Sequence, residues 1–341
     1  MESRDLQMLH VGILGAGHIA GTMAKTLGAM EGACAWAVAS RDKERAEAFA
    51  RTYGVERAYG SYEEMLDDPK IDLVYVATPH SHHLEHGKLC LEHGKPVLCE
   101  KAFTANAAQA RELIACAKAH KLLITEAIWT RYMPSRKIID AIVSSGELGE
   151  ITALTANLGY PMTHKERLVR PELAGGALLD VGVYPLNFVS MVLGNEVEEI
   201  NSVCVRHSTG VDGQETIVLR YPGGVLATLH ASMYAATEQY GILYGTKGYL
   251  IAYNINNIDR LAVFTPDRKL VREMKVPQQI TGYEYEVLAC QHALEIGALE
   301  CAEMPHSETI RLMEWMDALR AQWGVRYPFE EPAAGGVLKF S

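Results

Sequence analysis

No two cysteines in this chain are spaced as C-x-x-C. The seven present (Cys34, Cys90, Cys99, Cys116, Cys204, Cys290, Cys301) are scattered and odd in number. Neither a disulfide framework nor a zinc ribbon fits that pattern, and buried thiols in a reduced cytoplasm explain it most simply. No apolar run approaches the roughly 20 residues of a membrane span. The opening stretch MESRDLQM is polar and mixed in charge, unlike a secretory leader. Positive charge is in deficit: 32 Lys+Arg against 42 Asp+Glu leave a net charge of −10. Partners bound through a phosphate backbone need basic stripes, so nucleic acid is not expected. Repeats and low-complexity segments are missing as well. What remains is a cytoplasmic globular protein, 48% hydrophobic, whose 341 residues suffice for two domains.

The most informative stretch is His10 to Ala20, HVGILGAGHIA. Val11, Ile13 and Leu14 read as a short buried strand running into Gly15-x-Gly17-x-x-Ala20. This is a dinucleotide fingerprint with Ala in the last place. Gly15 allows a tight turn, Gly17 lets a pyrophosphate approach the backbone, and Ala20 lets the next helix pack closely. His18 and Ile19 lie within that turn, and a helical run, Thr22 to Ala29, follows, whose free N–H groups and dipole would receive the pyrophosphate. A glycine-rich turn without a ligand is the plain alternative.

A second strand is expected over Cys34 to Ser40 and a helix over Lys43 to Tyr53. NAD enzymes commonly place an acid near the end of that strand, for the ribose hydroxyls. Here Ser40-Arg41 comes first, and a hydroxyl with a guanidinium suits a 2′-phosphate. NADP is therefore favoured, with NAD possible. The alternative is that Asp42 caps the following helix and Arg41 is only a solvated charge; Asp42 is suited to the cap in either case. Ser61 with Glu64 forms a capping box, and Ile71 to Ala77 is a continuous apolar strand ending in Thr78-Pro79-His80-Ser81-His82-His83. His82 and His86 fall at i, i+4, but no H-E-x-x-H pattern accompanies them, so no metal is expected. A loop facing the cofactor explains His80 and His83 better. Pro96 to Lys101 reads as a strand delivering Glu100 and Lys101 at its carboxyl end, where open α/β sheets bind ligands. Lys101 is there either an active-site group or an ordinary surface lysine. A helix over Ala105 to Ala119, a strand over Leu122 to Thr125 and a hinge over Glu126 to Met133 complete a doubly wound parallel half.

Residues 128–341 read differently from 1–127. Strand-like segments at Ile151–Tyr160, Val197–Arg206, Glu215–Tyr221, Gly224–Met233, Gln239–Tyr244 and Arg260–Phe264 follow one another with short turns. That implies a mostly antiparallel open sheet in an α+β domain. Tyr283–Ile296 and Ser307–Trp315 are closing helices. One apolar stretch, Gly175 to Asn187, places Asp180, Tyr184 and Asn187 on one face if it is helical. A functional cluster and a capping Asp beside a half-buried Tyr remain alternatives.

Four motifs in order, Gly15-x-Gly17-x-x-Ala20, Thr78-Pro79-x-x-x-His83, Glu100-Lys101 and Gly176-x-x-x-Asp180-x-Gly182-x-Tyr184, resemble the glucose-fructose oxidoreductase/inositol dehydrogenase/rhizopine-catabolism (Gfo/Idh/MocA) family. Trp129-Thr130-Arg131-Tyr132, and Tyr184 where most members carry His, resemble its dimeric dihydrodiol dehydrogenase and NADP-dependent xylose dehydrogenase branch. The resemblance implies a Rossmann domain followed by an α+β domain whose open sheet serves homodimer or homotetramer assembly. It implies hydride transfer between a nicotinamide and a sugar, polyol or dihydrodiol-like substrate. Lys101 corresponds to the active-site lysine, Asp180 to the motif aspartate and Tyr184 to the acid/base. Thr78, Pro79, His80, Glu100, Trp129 and Arg131 fall on the cofactor side. A free tyrosine titrates near 10, so an ammonium nearby would be needed to favour the phenolate. Where the family has Pro after the lysine, this chain has Ala102. A cis bond before Ala costs about 2.5–4 kcal/mol, so trans is expected. A dinucleotide-binding sensor without turnover, and an oxidoreductase that never releases its NADP, are the competing functions.

Overall fold

The computed structural model describes residues 8–330. The first seven residues of the opening stretch, and residues 331–341 of the expected second domain, lie outside them.

From the N-terminus the elements are β1 (Leu9–Leu14), α1 (His18–Ala29), β2 (Ala33–Ala39), α2 (Lys43–Tyr53), β3 (Arg57–Tyr59), α3 (Tyr62–Leu66), β4 (Leu73–Val76), α4 (His83–Glu92), β5 (Val97–Glu100), α5 (Ala107–His120) and β6 (Ile124–Ala127). The six strands are parallel and ordered β3-β2-β1-β4-β5-β6. The order reverses at β1, and the crevice at the carboxyl ends of β1 and β4 is where such sheets bind ligands. β4, β5 and β6 are buried at every position, as strands covered on both faces must be, and that is why they read as apolar runs. The doubly wound half is thus as expected, with two differences. β3 is three half-exposed residues with no apolar signal. β6 is shifted two residues from Leu122–Thr125 and takes in Glu126, only 2% exposed. A carboxylate is rarely a strand-core residue, so the pattern did not place it there.

Beyond β6 come α6 (Pro134–Ser144), β7 (Ile151–Gly159), α7 (Glu166–Val169), a π-turn (Leu178–Gly182) and α8 (Val183–Leu193). Then follow β8 (Glu199–Arg206), β9 (Asp212–Arg220), β10 (Leu226–Ser232), β11 (Gly241–Gly245), β12 (Gly248–Tyr253), β13 (Arg260–Phe264), β14 (Leu270–Lys275), α9 (Glu284–Glu295) and α10 (His306–Trp323). The eight strands form one sheet, β14-β13-β12-β11-β7-β10-β9-β8. Only β7 and β10 pair in parallel; the other ladders are antiparallel. β12 and β14 escaped the sequence pattern. β14 is an edge strand, exposed along nearly its whole length and charged at Arg272, Glu273 and Lys275, the usual protection of a free edge.

By packing, the described residues fall into two units, 8–132 with 278–313, and 133–277 with 314–330. α9 and the start of α10, read as closing helices of the second half, therefore pack with the parallel sheet. Specific contacts hold them there. Ile124 N–H donates to Leu299 C=O at 3.1 Å, His306 Nε2 contacts Ile124 C=O at 2.9 Å, and Tyr283 stacks on Trp129 with centroids 4.2 Å apart.

α8 is the core helix of the second unit. Every residue from Val183 to Ser190 is buried, the condition of a helix apolar all round. The segment Pro171–Leu193 has the length and composition of a membrane span, with mean hydropathy 1.5, which the sequence reading overlooked; 83% of its most apolar window is buried inside the fold. Phe188 of α8 packs on Gly241 of β11, where an added Cβ would lie 2.5 Å from the ring. Gly241→Ala is expected to destabilise the protein by about 1–3 kcal/mol through overpacking, read as a lower urea midpoint. An unchanged midpoint would mean that the ring has room to move.

Candidate active site

In the first unit the site starts with the turn between β1 and α1. Gly15 has φ +105°, a conformation that favours glycine, and a Cβ there would sit 3.1 Å from Ala77 C=O at the end of β4. Its N–H donates to Ala39 C=O at 3.0 Å. Ala20 is fully buried against the sheet. At Gly17 an added Cβ would meet nothing within 4 Å. α1 begins there with no side-chain cap and no acid in its first turn. His18 is exposed and Ile19 half-buried beside the turn. Helix N–H groups open to solvent, with a positive dipole end, form an anion cradle, so these residues fit a dinucleotide pyrophosphate.

The end of β2 adds the next groups. Ser40 is buried and its Oγ accepts from Asp42 N–H at 3.3 Å; Arg41 is exposed. Asp42 Oδ1 accepts from Arg45 N–H at 3.2 Å and caps α2. The Arg45 guanidinium turns back to Ala16 C=O, at 3.2 Å from Nε and 3.0 Å from a terminal nitrogen. This brace on the fingerprint turn went unnoticed in the sequence. Its only trace there was Arg at the third position after a capping Asp.

At the end of β4, Thr78, Pro79 and His80 lie at the carboxyl edge of the sheet, with His80 buried. His83, expected in a loop facing the cofactor, is fully buried, with Nδ1 2.9 Å from Ala102 C=O and Nε2 2.7 Å from Thr78 C=O. Burial holds its pKa below the usual histidine value. It is a strut between two loops: the neutral ring has one N–H to donate, and both carbonyls lie within its reach. His86 bonds Thr78 Oγ1 at 2.9 Å, and burial lowers its pKa to about 4. Among the described residues no three His, Cys, Asp or Glu side chains cluster as metal ligands.

Glu100 and Lys101 follow β5. Glu100, expected on the cofactor side, is buried. It accepts the Tyr75 O–H and, at 3.1 Å, the Lys101 N–H. Lys101 is half-buried. The Lys101–Ala102 peptide bond is cis, contrary to the expectation drawn from the intrinsic preference of a non-proline bond. Its neighbours decide instead: Ala102 C=O faces His83, and Phe103 N–H donates to Glu126 at 3.2 Å. Trp129 and Arg131 are buried in the turn after β6. Trp129 stacks on Tyr283 and Arg131 pairs with Glu308 at 2.8 Å.

In the second unit, Asp180 belongs to the π-turn and Tyr184 and Asn187 to α8. The three are 5%, 7% and 1% exposed. They do not share a plain α-helical face, because the wider turn resets the spacing. Arg167 pairs with Asp180 at 2.9 Å. Two buried acids on β9 explain the motif glycines. Asp212 accepts from Leu178 N–H at 2.5 Å, and a Cβ at Gly176 would lie 2.3 Å from its Oδ1. A Cβ at Gly182 would lie 2.8 Å from Glu215 Oε1. Burial raises the pKa of both acids.

Comparisons with known proteins agree with this geometry. Residues 9–127 match the family described as "Oxidoreductase family, NAD-binding Rossmann fold", and residues 137–251 match the "GFO/IDH/MocA C-terminal domain". Human trans-1,2-dihydrobenzene-1,2-diol dehydrogenase is 36% identical over 298 residues, 86% of this chain and 89% of that protein. The mouse enzyme of that name is 33% identical over 94% of this chain and 98% of its own. A 3-ketoreductase from Actinomadura kijaniata, solved with NADP and TDP-benzene, has a TM-score of 0.84 at 26% identity, covering 92% of this chain and 97% of its own. An aldose-aldose oxidoreductase from Caulobacter crescentus shares the fold, with a TM-score of 0.83 at 20% identity over 93% of this chain and 98% of its own.

Gly17 has extended backbone, φ −94° and ψ −173°, which an aspartate accepts and from which it would cap α1. Gly17→Asp should leave the melting temperature unchanged or raised, yet weaken NADPH binding roughly tenfold or more by placing a charge in the anion cradle. A fluorescence titration with unaltered affinity would show that the cradle binds no phosphate.

Proposed function

Because the chain belongs to the GFO/IDH/MocA oxidoreductase family, we propose that it is an NADP-dependent enzyme interconverting a carbinol and a carbonyl on a sugar, polyol or dihydrodiol-like substrate. The observation that supports NADP over NAD is the pair at the end of β2, where Ser40 and the exposed Arg41 stand to meet a 2′-phosphate. The substrate class is supported by the trans-1,2-dihydrobenzene-1,2-diol dehydrogenases, at 33–36% identity over most of this chain.

A bound nicotinamide supplies hydride exchange. The protein supplies the proton chemistry. In oxidation Tyr184 takes the proton of the substrate hydroxyl, and in reduction it returns it. Lys101, as a cation, favours the phenolate that does this work. Asp180, held by Arg167, orients the substrate hydroxyl or the lysine. Self-association falls to the outer face of the eight-stranded sheet, where Val203, Val205, Val218 and Leu226 are exposed. The free thiols suit a cytoplasmic setting.

Steady-state assays with aldoses, polyols, dicarbonyls and trans-dihydrodiols, run with both cofactors, test the substrate class. Tyr184→Phe is expected to abolish turnover while leaving NADPH affinity intact, and Lys101→Met to cost catalysis more than cofactor binding. Near wild-type turnover in either variant would remove that residue from the chemistry. Arg41→Ala should raise KM for NADP roughly tenfold and leave KM for NAD unchanged. Equal effects on the two cofactors would contradict the 2′-phosphate assignment.

A further inference from the structure

Three glutamates from three elements of the first unit converge beneath the loop after β5. Glu100 ends β5, Glu126 lies within β6, and Glu286 is in the first turn of α9. They are 6%, 2% and 0% exposed. Burying carboxylates is costly unless each is neutralised or hydrogen-bonded, so their presence calls for a job. Two of them grip the loop by its backbone. Glu100 accepts from Lys101 N–H at 3.1 Å, and Glu126 Oε1 accepts from Phe103 N–H at 3.2 Å. Between them, Ala102 C=O faces His83 Nδ1 at 2.9 Å. The backbone of Lys101 and of Phe103 is thus tied to a buried carboxylate on either side of Ala102.

We propose that Glu126 is a positioning residue for Lys101, fixing from β6 the loop backbone from which the ammonium group projects. The inference rests on the role given to Lys101 above, and no motif in the sequence pointed to Glu126. The groups facing its carboxyl are Glu100 and Cys99 from β5, Thr309 from α10 and Arg131 from the turn after β6. Its Oε2 finds no hydrogen-bond partner. Burial, opposed by Thr309, Phe103 N–H and Arg131, raises its pKa to about 7. Glu286 has both oxygens without a hydrogen bond, and burial with Glu100 nearby raises its pKa well above the usual value.

The sign follows from the raised pKa. Below about pH 7 Glu126 is protonated and holds Phe103 N–H weakly. Above that pH it is ionised, and a charge-assisted bond is roughly twice as strong as a neutral one. The oxidation rate at saturating substrate and NADP should rise through an inflection near pH 7.

The test uses the whole protein and the best substrate of the panel above. Glu126→Ala should lower kcat roughly 10- to 100-fold, the cost of a misplaced catalytic group, with KM for NADP unchanged. Glu126→Gln keeps an uncharged acceptor for Phe103 N–H, so it should retain most of kcat and lose the inflection. On a Lys101→Met background, Glu126→Ala should cost nothing further. Wild-type kcat in Glu126→Ala, a persisting inflection in Glu126→Gln, or additive losses in the double variant overturns the proposal. Should the Ala variant fail to fold, the pH profile of the Gln variant decides. Failure of the Lys101 role itself appears separately, as an active Lys101→Met single variant.

Discussion

Much of the first unit follows from one helix that starts without a cap from its own chain. A helix leaves its first N–H groups without intrahelical partners, and most proteins fill them with a Ser, Thr, Asp or Asn. α2 and α5 do so, through Asp42 and Asn106. α4 and α9 lack a side-chain cap as well but carry acids in their first turns, Glu85, Glu284 and Glu286; α1 has neither, since Gly17 offers no side chain and its first turn holds no acid. The surrounding residues keep that end open. Gly15 makes the turn close over the end of β4, Arg45 ties down Ala16, and β1 sits where the sheet order reverses. An unfilled helix end at such a crevice is a standing demand for an anion.

A second constraint recurs in both units. Buried carboxylates are used as backbone acceptors where a loop or turn bends. Glu100 and Glu126 hold the loop of Lys101, and Asp212 receives Leu178 N–H where the π-turn bearing Asp180 begins. Each forgoes hydration, which raises its proton affinity unless the hydrogen bonds compensate. A hydrophobic residue would pack there more cheaply, but it would leave the loop N–H groups unsatisfied. The glycines at 176 and 182 are the other half of this device, since a Cβ at either would collide with Asp212 or Glu215.

Signals local along the chain were legible. The apolar strands β1, β4 and β5, the helices α1 and α2, the Asp42 cap, the fingerprint turn and the change from parallel to antiparallel pairing are short-range consequences of side-chain period and turn chemistry. The six strand segments read in the second half also fall on β-strands, shifted by a residue or a few at their ends. β3 and β14 left little mark, because short or edge strands owe their pairing to neighbours rather than to their own pattern.

Composition and spacing by themselves determined the class of this protein: a doubly wound nucleotide half, a sheet-rich second half, and a helix opening suited to phosphate. Those properties depend on residues a few positions apart, whose geometry the backbone sets. Tertiary packing alone decided that residues 278–313 join the first unit, that His83 is a strut, that Glu126 lies inside a strand, and that the bond after Lys101 is cis. Each of these turns on what a group meets from far along the chain once water is removed. Burial can make a carboxylate a strand residue or override a backbone preference, and no local pattern carries that information.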